Sequence, residues 1–469
     1  MRNAPAPSAP PPAGVPRRHA KAASTTSAAP IPSPPSGRRR RTIALTTVAP
    51  SAFPTRPRLV STAHGPIGHV LLWYPTHTAA DRPAYQRTYG DLLAGLPSTT
   101  AVTIVAHPKV VKEITALADA RRAPQATTTI IRSPASVAFS VWAEDAFVVV
   151  DDLDRRPPVT FLLEPERFPR VGDFELAELV ATAGPLETAQ SPLIFQGGNV
   201  LIGDDFALVG ADYLDDSVAN LAAAGSVEDF PAGGSTRAQE DFVKRLFREQ
   251  FDPGRTFHFP GAQPRNRAAN SIIEIDGERW LETVDAGRGG RQPIFHIDMF
   301  LSLAGRAGGG SGAATSGTKY QLLVGDPRLA DRTLGWQPVA HNLQSEFDAV
   351  ADQLRRLGFS VRRTPLPYVS VDLRGAFSVE VDGRQVEVVG ERFWYFATSN
   401  NCLVQIDGTH KDVWLPTYGH APFEELDATD AAHRRMWESL GFTVHQLGDF
   451  HLFAMRLGAL HCIKKYLAR

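Results

Sequence analysis

Four side chains that could do chemistry together lie far apart in this sequence of 469 residues. Asp145 ends the segment WAED before an apolar stretch, and His296 and Asp298 stand two positions apart in the apolar run IFHIDMF. Cys462 ends the segment ALHC, seven residues before the end of the sequence. A thiol, an imidazole and two carboxylates are the groups that hydrolysis of a guanidinium group requires.

Each group has its own task in such a reaction. A guanidinium is planar and permanently charged, with a pKa near ~13, so carboxylates must hold its nitrogens. A thiolate attacks the central carbon, and cysteine suits this step because its pKa of about 8.5 falls beside a cation such as the substrate. In this interpretation Cys462 is the nucleophile, His296 is the general acid/base, and Asp145 and Asp298 bind the guanidinium.

Each residue also has a purely structural interpretation. In extended chain His296 and Asp298 project from the same face, where a buried histidine and a carboxylate can simply satisfy each other. Asp145 can be a solvent-exposed acid at the start of a strand, and a cysteine in apolar surroundings is usually a core residue. We interpret the other cysteine, Cys402, in that way. His461 points away from its neighbour if that segment is extended, so we do not assign it as the base.

A double glycine interrupts two strand-like pieces in the segment FQGGNV. A hairpin turn explains both Gly197 and Gly198. The alternative is a close approach of the backbone to a ligand, with Gln196 and Asn199 lining the pocket. The spacings CxxC, HxxxH and HExxH do not occur in the sequence, so we expect neither a metal nor another cofactor.

The composition indicates a globular protein with an acidic body. Hydrophobic residues make up 43% of the chain, and no apolar run approaches the roughly 18 residues that span a membrane. Residues 1–60 carry ten of the 49 basic residues and no acidic one, so all 50 acidic residues follow. An acidic body favours a cationic substrate over nucleic acid as a partner. The two cysteines cannot form a disulfide framework, which is typical of a reducing compartment.

We predict two regions along the chain. Residues 1–62 are rich in Pro, Ala, Ser and Arg and are predicted to be disordered, because they offer too little apolar surface to bury. Residues 63–469 are predicted to form the folded domain, with a flexible glycine-rich insertion at about 306–317 that could act as a lid or be a plain surface loop. Arg40 and Arg41 faintly resemble a twin-arginine export signal, but prolines break the stretch after them, so we expect a solvated tail and a cytoplasmic protein.

Short apolar strands alternate with amphipathic helices from about residue 66 onwards. In the helix predicted at 343–357, Phe347, Val350 and Leu354 recur at steps of three and four residues. Gly358 and Gly441 follow predicted helices and suit left-handed caps. Tight turns join many of the strands, so the pattern indicates an α/β protein with mixed sheets.

The motifs, taken in order, resemble the guanidino-group-modifying enzymes of the pentein superfamily. Within it, agmatine deiminases and bacterial-type peptidylarginine deiminases are most similar. The segments that carry the resemblance are WAED, FQGGN, HID, SNNCLVQIDGTHKDVWLPTYG and ALHC. The resemblance implies a five-bladed α/β propeller of ββαβ modules with pseudo-fivefold symmetry, and metal-free hydrolysis through a covalent S-alkylthiouronium intermediate. It adds Trp142, Gln196, Gly197, Gly198, Asn199 and Asn401 as substrate-pocket residues.

Three positions depart from the family pattern. Gln196 replaces an acid before the double glycine, Glu144 replaces a basic residue before Asp145, and the loop before Cys462 has fewer glycines. The implied activity is conversion of a guanidino group to a ureido group with release of ammonia, on agmatine, arginine or peptidyl arginine. The alternatives are an amidinotransferase that uses the same residues, and a non-catalytic binding protein that retains the fold. The sequence leaves the oligomeric state open.

Overall fold

The computed structural model describes residues 19–21, 53–224, 227, 229–262, 271–284, 290–306, 318–381 and 384–469. The predicted insertion at 306–317 lies, apart from Arg306, outside the described residues. The strands are β1 (His19–Lys21), β2 (Pro57–Leu59), β3 (His69–Tyr74), β4 (Ala101–Ala106), β5 (Thr128–Arg132), β6 (Val148–Asp152), β7 (Val159–Glu164), β8 (Leu186–Gln190), β9 (Val200–Ile202), β10 (Phe206–Val209), β11 (Thr256–His258), β12 (Ser271–Ile275), β13 (Glu278–Val284), β14 (Leu301–Arg306), β15 (Tyr320–Asp326), β16 (Ser360–Pro365), β17 (Tyr368–Val381), β18 (Arg384–Phe396), β19 (Leu403–Asp407), β20 (His410–Thr417), β21 (Thr443–Asp449) and β22 (Lys464–Ala468).

Helices alternate with these strands and cover their faces. The helices are α1 (Arg82–Gly95), α2 (Val111–Arg121), α3 (Val171–Ala183), α4 (Ala211–Ala224), α5 (Thr236–Phe251), α6 (Pro327–Leu334), α7 (Gln344–Arg356), α8 (Asp427–Glu438) and α9 (His451–Ala454). In α7 the periodic residues Phe347, Val350 and Leu354 are all buried, as predicted. Gly358 and Gly441 have positive φ angles of 99° and 82°, which confirms the predicted left-handed caps. None of the described helices is both long and apolar enough to cross a bilayer.

Five sheets of the described chain repeat one topology. An antiparallel pair of strands is followed by one or two helices and by a third strand parallel to the second, which is a ββαβ module. The fifth module joins the two ends of the folded chain, because the last strand, β22, pairs antiparallel with β3, and β3 pairs parallel with β4. The mixed α/β class is therefore confirmed. The pairing of β22 with β3 also places the segment that ends in Cys462 beside the first strands of the domain.

A sixth sheet was not predicted. Its strand order is β1-β17-β18-β13-β12, and its centre is the long antiparallel hairpin of β17 and β18. The hairpin has a buried half, from Tyr368 to Val371, and an exposed half that includes Phe377. In this half Phe377, Val379 and Val381 alternate with polar residues, which is a strand-like pattern that the sequence analysis overlooked.

The predicted boundary of the tail at residue 62 is wrong. Residues from Phe53 onwards are part of the folded body, and β2 pairs antiparallel with β6. Leu59 is buried, and its backbone N–H donates to the carboxylate of Asp252 at 3.1 Å. One buried leucine and paired backbone groups offset the conformational entropy that this short proline-containing strand loses on ordering. Composition alone does not reveal such local pairing. β1, within the same predicted tail, pairs parallel with β17. The remaining residues of the tail lie outside those described.

Candidate active site

Three of the four predicted catalytic side chains converge on Gly198, and the fourth, Cys462, contacts one of the three. A Cβ atom placed on this glycine would lie 2.6 Å from Nδ1 of His296, 3.0 Å from Oδ1 of Asp145 and 3.2 Å from Oδ2 of Asp298. The Sγ atom of Cys462 lies 3.4 Å from the same Oδ2 of Asp298. All four side chains are buried, with at most 3% of each residue exposed. Residues more than three hundred positions apart thus surround one small space.

His296 and Asp298 reach this space by a different route from the predicted one. They do not lie on an extended strand, because Ile297–Met299 forms a 3₁₀ turn before β14. Asn199 causes the turn, since its Oδ1 accepts a hydrogen bond from the backbone N–H of Ile297 at 2.9 Å. The prediction that an extended chain presents both side chains on one face is therefore wrong, although both still face the site.

The Gly-Gly-Asn segment is a 3₁₀ turn, Gly197–Asn199, that leads into β9. It is not the hairpin between β9 and β10, which pair around the turn at 203–205. Gly197 donates its N–H to the carbonyl of Asp145 at 3.0 Å, and Asn199 exchanges two side-chain hydrogen bonds with Gln292. Gly198 packs closely against His296, Asp145 and Asp298, and Asn199 supports the turn that carries His296 and Asp298.

His296 is held on three sides. Its Nδ1 lies 3.5 Å from Oδ1 of Asp145, its Nε2 lies 3.3 Å from the hydroxyl of Tyr213, and its ring stacks on Phe295 with a centroid distance of 3.9 Å. Burial lowers the pKa of His296, although Asp145 and Asp298 oppose that effect. A neutral imidazole between a carboxylate and a phenol can accept a proton and later return it.

Asp145 is oriented by a cation that the sequence analysis missed. Nη2 of Arg170 lies 2.7 Å from Oδ2 of Asp145, and Nε of Arg170 lies 2.5 Å from Asp173. Arg170 is the residue before α3, a helix that the sequence analysis also missed, so no local pattern connected it with Asp145. The contact fixes one oxygen of Asp145 and leaves the other, Oδ1, directed at His296.

Three buried oxygen atoms of residues that were predicted to form this site accept no hydrogen bond from any described residue. They are Oδ1 of Asp145, Oδ1 of Asp298 and Oε1 of Gln196. Buried acceptors in native proteins are nearly always satisfied, so each such atom needs a donor. A guanidinium carries five N–H donors in one plane when it is mono-substituted, and it can satisfy several acceptors at once.

Asn401 organises the segment that carries Cys462. Its Oδ1 accepts hydrogen bonds from the backbone N–H groups of Ala459, His461 and Cys462, at 3.2, 2.8 and 3.2 Å. Its Nδ2 lies 3.1 Å from Sγ of Cys462. Asn401 was predicted to line the substrate pocket, and its amide bonds both the loop before Cys462 and the thiol. Burial, Asp298 and Asp145 raise the pKa of the Cys462 thiol.

His461 is the second residue that the sequence analysis missed. The segment before β22 is a turn and not an extended chain, so the assumption from which His461 was expected to point away from Cys462 is wrong. Its Nδ1 lies 2.8 Å from Oδ2 of Asp298, the oxygen that also contacts Cys462, and its Nε2 is buried without a hydrogen-bond partner among the described residues. The site therefore contains two imidazole–carboxylate pairs, His296 with Asp145 and His461 with Asp298.

Trp142 covers the nucleophile loop. A Cβ atom on Gly458 would lie 2.6 Å from Cη2 of Trp142, so the indole packs directly on the glycine backbone. Leu457 just before it adopts a left-handed φ of 65°, which is unusual for leucine and costs roughly 1–2 kcal/mol. The sequence analysis noted fewer glycines in this loop, and Gly458 stands where the ring leaves no room for a Cβ atom.

Comparisons with known proteins support the fold. No family model and no curated protein matches the sequence. Solved structures do match: one provisionally named an agmatine deiminase (TM-score 0.55, 14% identity), one provisionally named a peptidyl-arginine deiminase (0.53, 11%) and the agmatine deiminase of Enterococcus faecalis (0.52, 12%). The alignments cover 88–90% of this chain and 97–99% of the matched chains. The resemblance found in the motifs is confirmed at the level of the fold.

Proposed function

We propose that this chain, which shares its mixed α/β fold with agmatine deiminases, is a hydrolase that converts a guanidino group to a ureido group and releases ammonia. The observation that carries the proposal is the arrangement at Gly198, where an imidazole and two carboxylates converge and a thiol contacts one of the carboxylates. One oxygen of each carboxylate accepts no hydrogen bond from a described residue. The five ββαβ modules would form the blades of a propeller around this site. The indole of Trp142, half-buried beside the nucleophile loop, would form one wall of the substrate pocket.

The first half of the reaction begins when Asp145 and Asp298 hold the guanidinium. The substrate cation stabilises the Cys462 thiolate, which the two carboxylates otherwise disfavour. His296 accepts the thiol proton, Sγ forms a bond to the guanidinium carbon, and the proton passes to the departing nitrogen. The carbon–nitrogen bond breaks, ammonia leaves, and a positively charged thiouronium remains on Cys462.

Water completes the second half. Neutral His296 removes a proton from a water molecule, the oxygen attacks the thiouronium carbon, and the carbon–sulfur bond breaks as the thiol recovers a proton. The product is a ureido group, and the remaining proton converts ammonia to ammonium. Overall a guanidinium and water give a urea and ammonium, so atoms and charges balance without another reactant.

A direct assay tests this proposal. The purified protein is incubated separately with agmatine, arginine and an arginyl peptide, without any added amine, and ammonia and the ureido product are measured. We expect equal amounts of both from at least one substrate. Absence of ammonia from all three contradicts the deiminase proposal and favours a binding protein. Product that forms only after an amine is added indicates amidino transfer. Gln196 is uncharged and adds no negative charge to those of Asp145 and Asp298. The assay therefore also shows whether the site accepts the second cationic group of agmatine.

Replacing Asp145 with asparagine is expected to weaken binding of the guanidinium. The change removes the charge that holds the cation but keeps the shape of the side chain, and loss of a charged hydrogen-bond partner costs about 1–3 kcal/mol. Steady-state kinetics should show a raised KM with a smaller change in kcat. Asp151→Asn in β6, where the acid bonds Thr160 at 2.8 Å, is the matched control. Wild-type values of KM and kcat in Asp145→Asn would reject the assigned role.

Replacing His461 tests its role as a positioning residue for Asp298. Alanine removes the Nδ1 donor and should lower kcat by roughly tenfold to a hundredfold, the effect of a small misplacement of a reacting group. Asparagine places an N–H near the position of Nδ1 and should restore most of the activity. The half-exposed His445, changed to asparagine, controls for general effects. Equal losses in the alanine and asparagine variants would show that the N–H donor is not what matters.

A further inference from the structure

A buried ion cluster lies directly behind the candidate site. Nζ of Lys464 is 2.6 Å from Oε2 of Glu144, and Nζ of Lys465 is 2.9 Å from Oε1 of the same carboxylate. At most 5% of each of these side chains is exposed. The acid that replaces a basic residue before Asp145 is thus matched by two lysines that follow the nucleophile.

The cluster joins the segments that carry the catalytic groups. Glu144 precedes Asp145, and its backbone N–H donates to the carbonyl of Cys462 at 3.1 Å. Lys465 donates to the carboxylate of Glu144 and also to its main-chain carbonyl, at 2.9 Å. Gly197 packs against that carbonyl and against Nζ of Lys465, leaving no room for a Cβ atom. Lys465 therefore sits where the Asp145 loop, the Gly-Gly-Asn turn and the nucleophile strand meet.

The two lysines differ in what they hold. Nζ of Lys464 donates to the carboxylate and lies 4.0 Å from the centroid of the Tyr466 ring. Nζ of Lys465 also donates to the main-chain carbonyl of Glu144, next to Asp145. Burial raises the pKa of Glu144, but the two ammonium groups outweigh it and bring that pKa to about 2. Burial lowers the pKa of Lys464 to about 8, against the pull of Glu144. Glu144 is thus ionised at neutral pH, and either lysine can balance its charge.

We propose that Glu144 and Lys465 are positioning residues that fix Asp145 relative to Cys462, and that Lys464 contributes charge to the cluster without that role. The inference rests on the proposed function, because the distance between carboxylate and thiol matters only if both meet one substrate. The distinction between the lysines rests on the hydrogen bond from Lys465 to the main-chain carbonyl of Glu144, the residue before Asp145, whereas the bond from Lys464 goes to the carboxylate.

Two matched variants test the inference. Lys465→Met and Lys464→Met each remove one buried ammonium and leave a single ion pair with Glu144. We expect Lys465→Met to lower kcat/KM by about tenfold or more, because a small displacement of Asp145 misplaces the substrate. The fall in kcat/KM for Lys464→Met should be several times smaller. Circular dichroism and thermal melting show that each variant is folded. If Lys465→Met does not fold, Lys465→Arg keeps the buried charge and is expected to lower kcat/KM in the same way through its altered geometry.

A second readout does not depend on turnover. The rate at which Cys462 is alkylated is measured with 2-chloroacetamidine, a cation, and with 2-chloroacetamide, its neutral analogue. The carboxylates should favour the cation in the wild type, and Lys465→Met, or Lys465→Arg if needed, should reduce this preference more than Lys464→Met does. Equal preferences in the wild type and in the folded Lys465 variant would overturn the inference. A wild type that prefers the cation but releases no ammonia would count against the proposed function. The alkylation rates of the Lys465 and Lys464 variants would still test the positioning role.

Discussion

Replacing Cys462 with alanine is expected to lower the rate of ammonia release by at least about ten-thousandfold, the scale on which loss of a nucleophile acts in covalent catalysis. The thiol lies 3.4 Å from a carboxylate that would hold the substrate, and its backbone is fixed by the amide of Asn401. Alanine keeps those backbone hydrogen bonds and removes the sulfur. The substrate should therefore still bind, and its dissociation constant, measured by calorimetry, should change little.

The second cysteine provides the matched control for this experiment. Cys402 is also a free, buried thiol, and burial raises its pKa to about 12. It packs in an apolar cluster, in agreement with its interpretation as a core residue. Cys402→Ala should leave ammonia release close to the wild-type rate. Ammonia release that survives in Cys462→Ala, or disappears equally in Cys402→Ala while that variant remains folded, would count against a thiol nucleophile at position 462.

Mass spectrometry gives a second test of the nucleophile. When the reaction is quenched during turnover, the wild type should carry an adduct equal in mass to the substrate less ammonia, and digestion should locate it on Cys462. The adduct should be absent from Cys462→Ala. Because His296 activates water in the second half, His296→Asn should accumulate the adduct if the first half still proceeds slowly. An adduct at any other residue would contradict the proposed intermediate.

The sequence was sufficient to identify which residues meet, but not how the backbone brings them together. The motifs named Asp145, His296, Asp298 and Cys462. The structure places the first three around Gly198 and Cys462 in contact with Asp298. The expectation of an extended strand at His296 failed because a side chain from a distant turn, that of Asn199, captures the N–H of Ile297. Such a contact between residues 98 positions apart leaves no local periodicity to detect.

The same limit explains the residues that were missed. His461 was excluded on the assumption of an extended segment, whereas three hydrogen bonds to Asn401 bend that segment into a turn. Arg170 precedes α3, whose apolar residues lie on more than one side, from buried Leu176 and Val180 to exposed Val171. A helix of that kind has no clear amphipathic stripe. The sequence therefore predicts residue types that chemistry demands more readily than the partners that orient them.

Replacing Gly198 with alanine is expected to lower kcat/KM by at least about a thousandfold. A misplaced substrate and a displaced general acid each lower the rate by about a hundredfold or more. The added methyl group would lie 2.6 Å from Nδ1 of His296 and close to both carboxylates. His296 cannot easily move aside, since Phe295 stacks on its ring and Tyr213 contacts its Nε2. The methyl group would therefore either displace the imidazole or occupy space beside the carboxylates that the guanidinium needs.

The loss should come from crowding of the site and not from the backbone. Gly198 does not adopt a positive φ, so alanine introduces no conformational strain of its own there. Gly375 in β17 is the matched control, because a Cβ atom there meets no heavy atom within 4 Å. Gly375→Ala should retain wild-type kinetics, and both variants should melt as single folded species. Near-wild-type kcat/KM in a folded Gly198→Ala variant would mean that the reacting group does not bind between His296 and the two carboxylates. That result would contradict the arrangement from which the function is inferred.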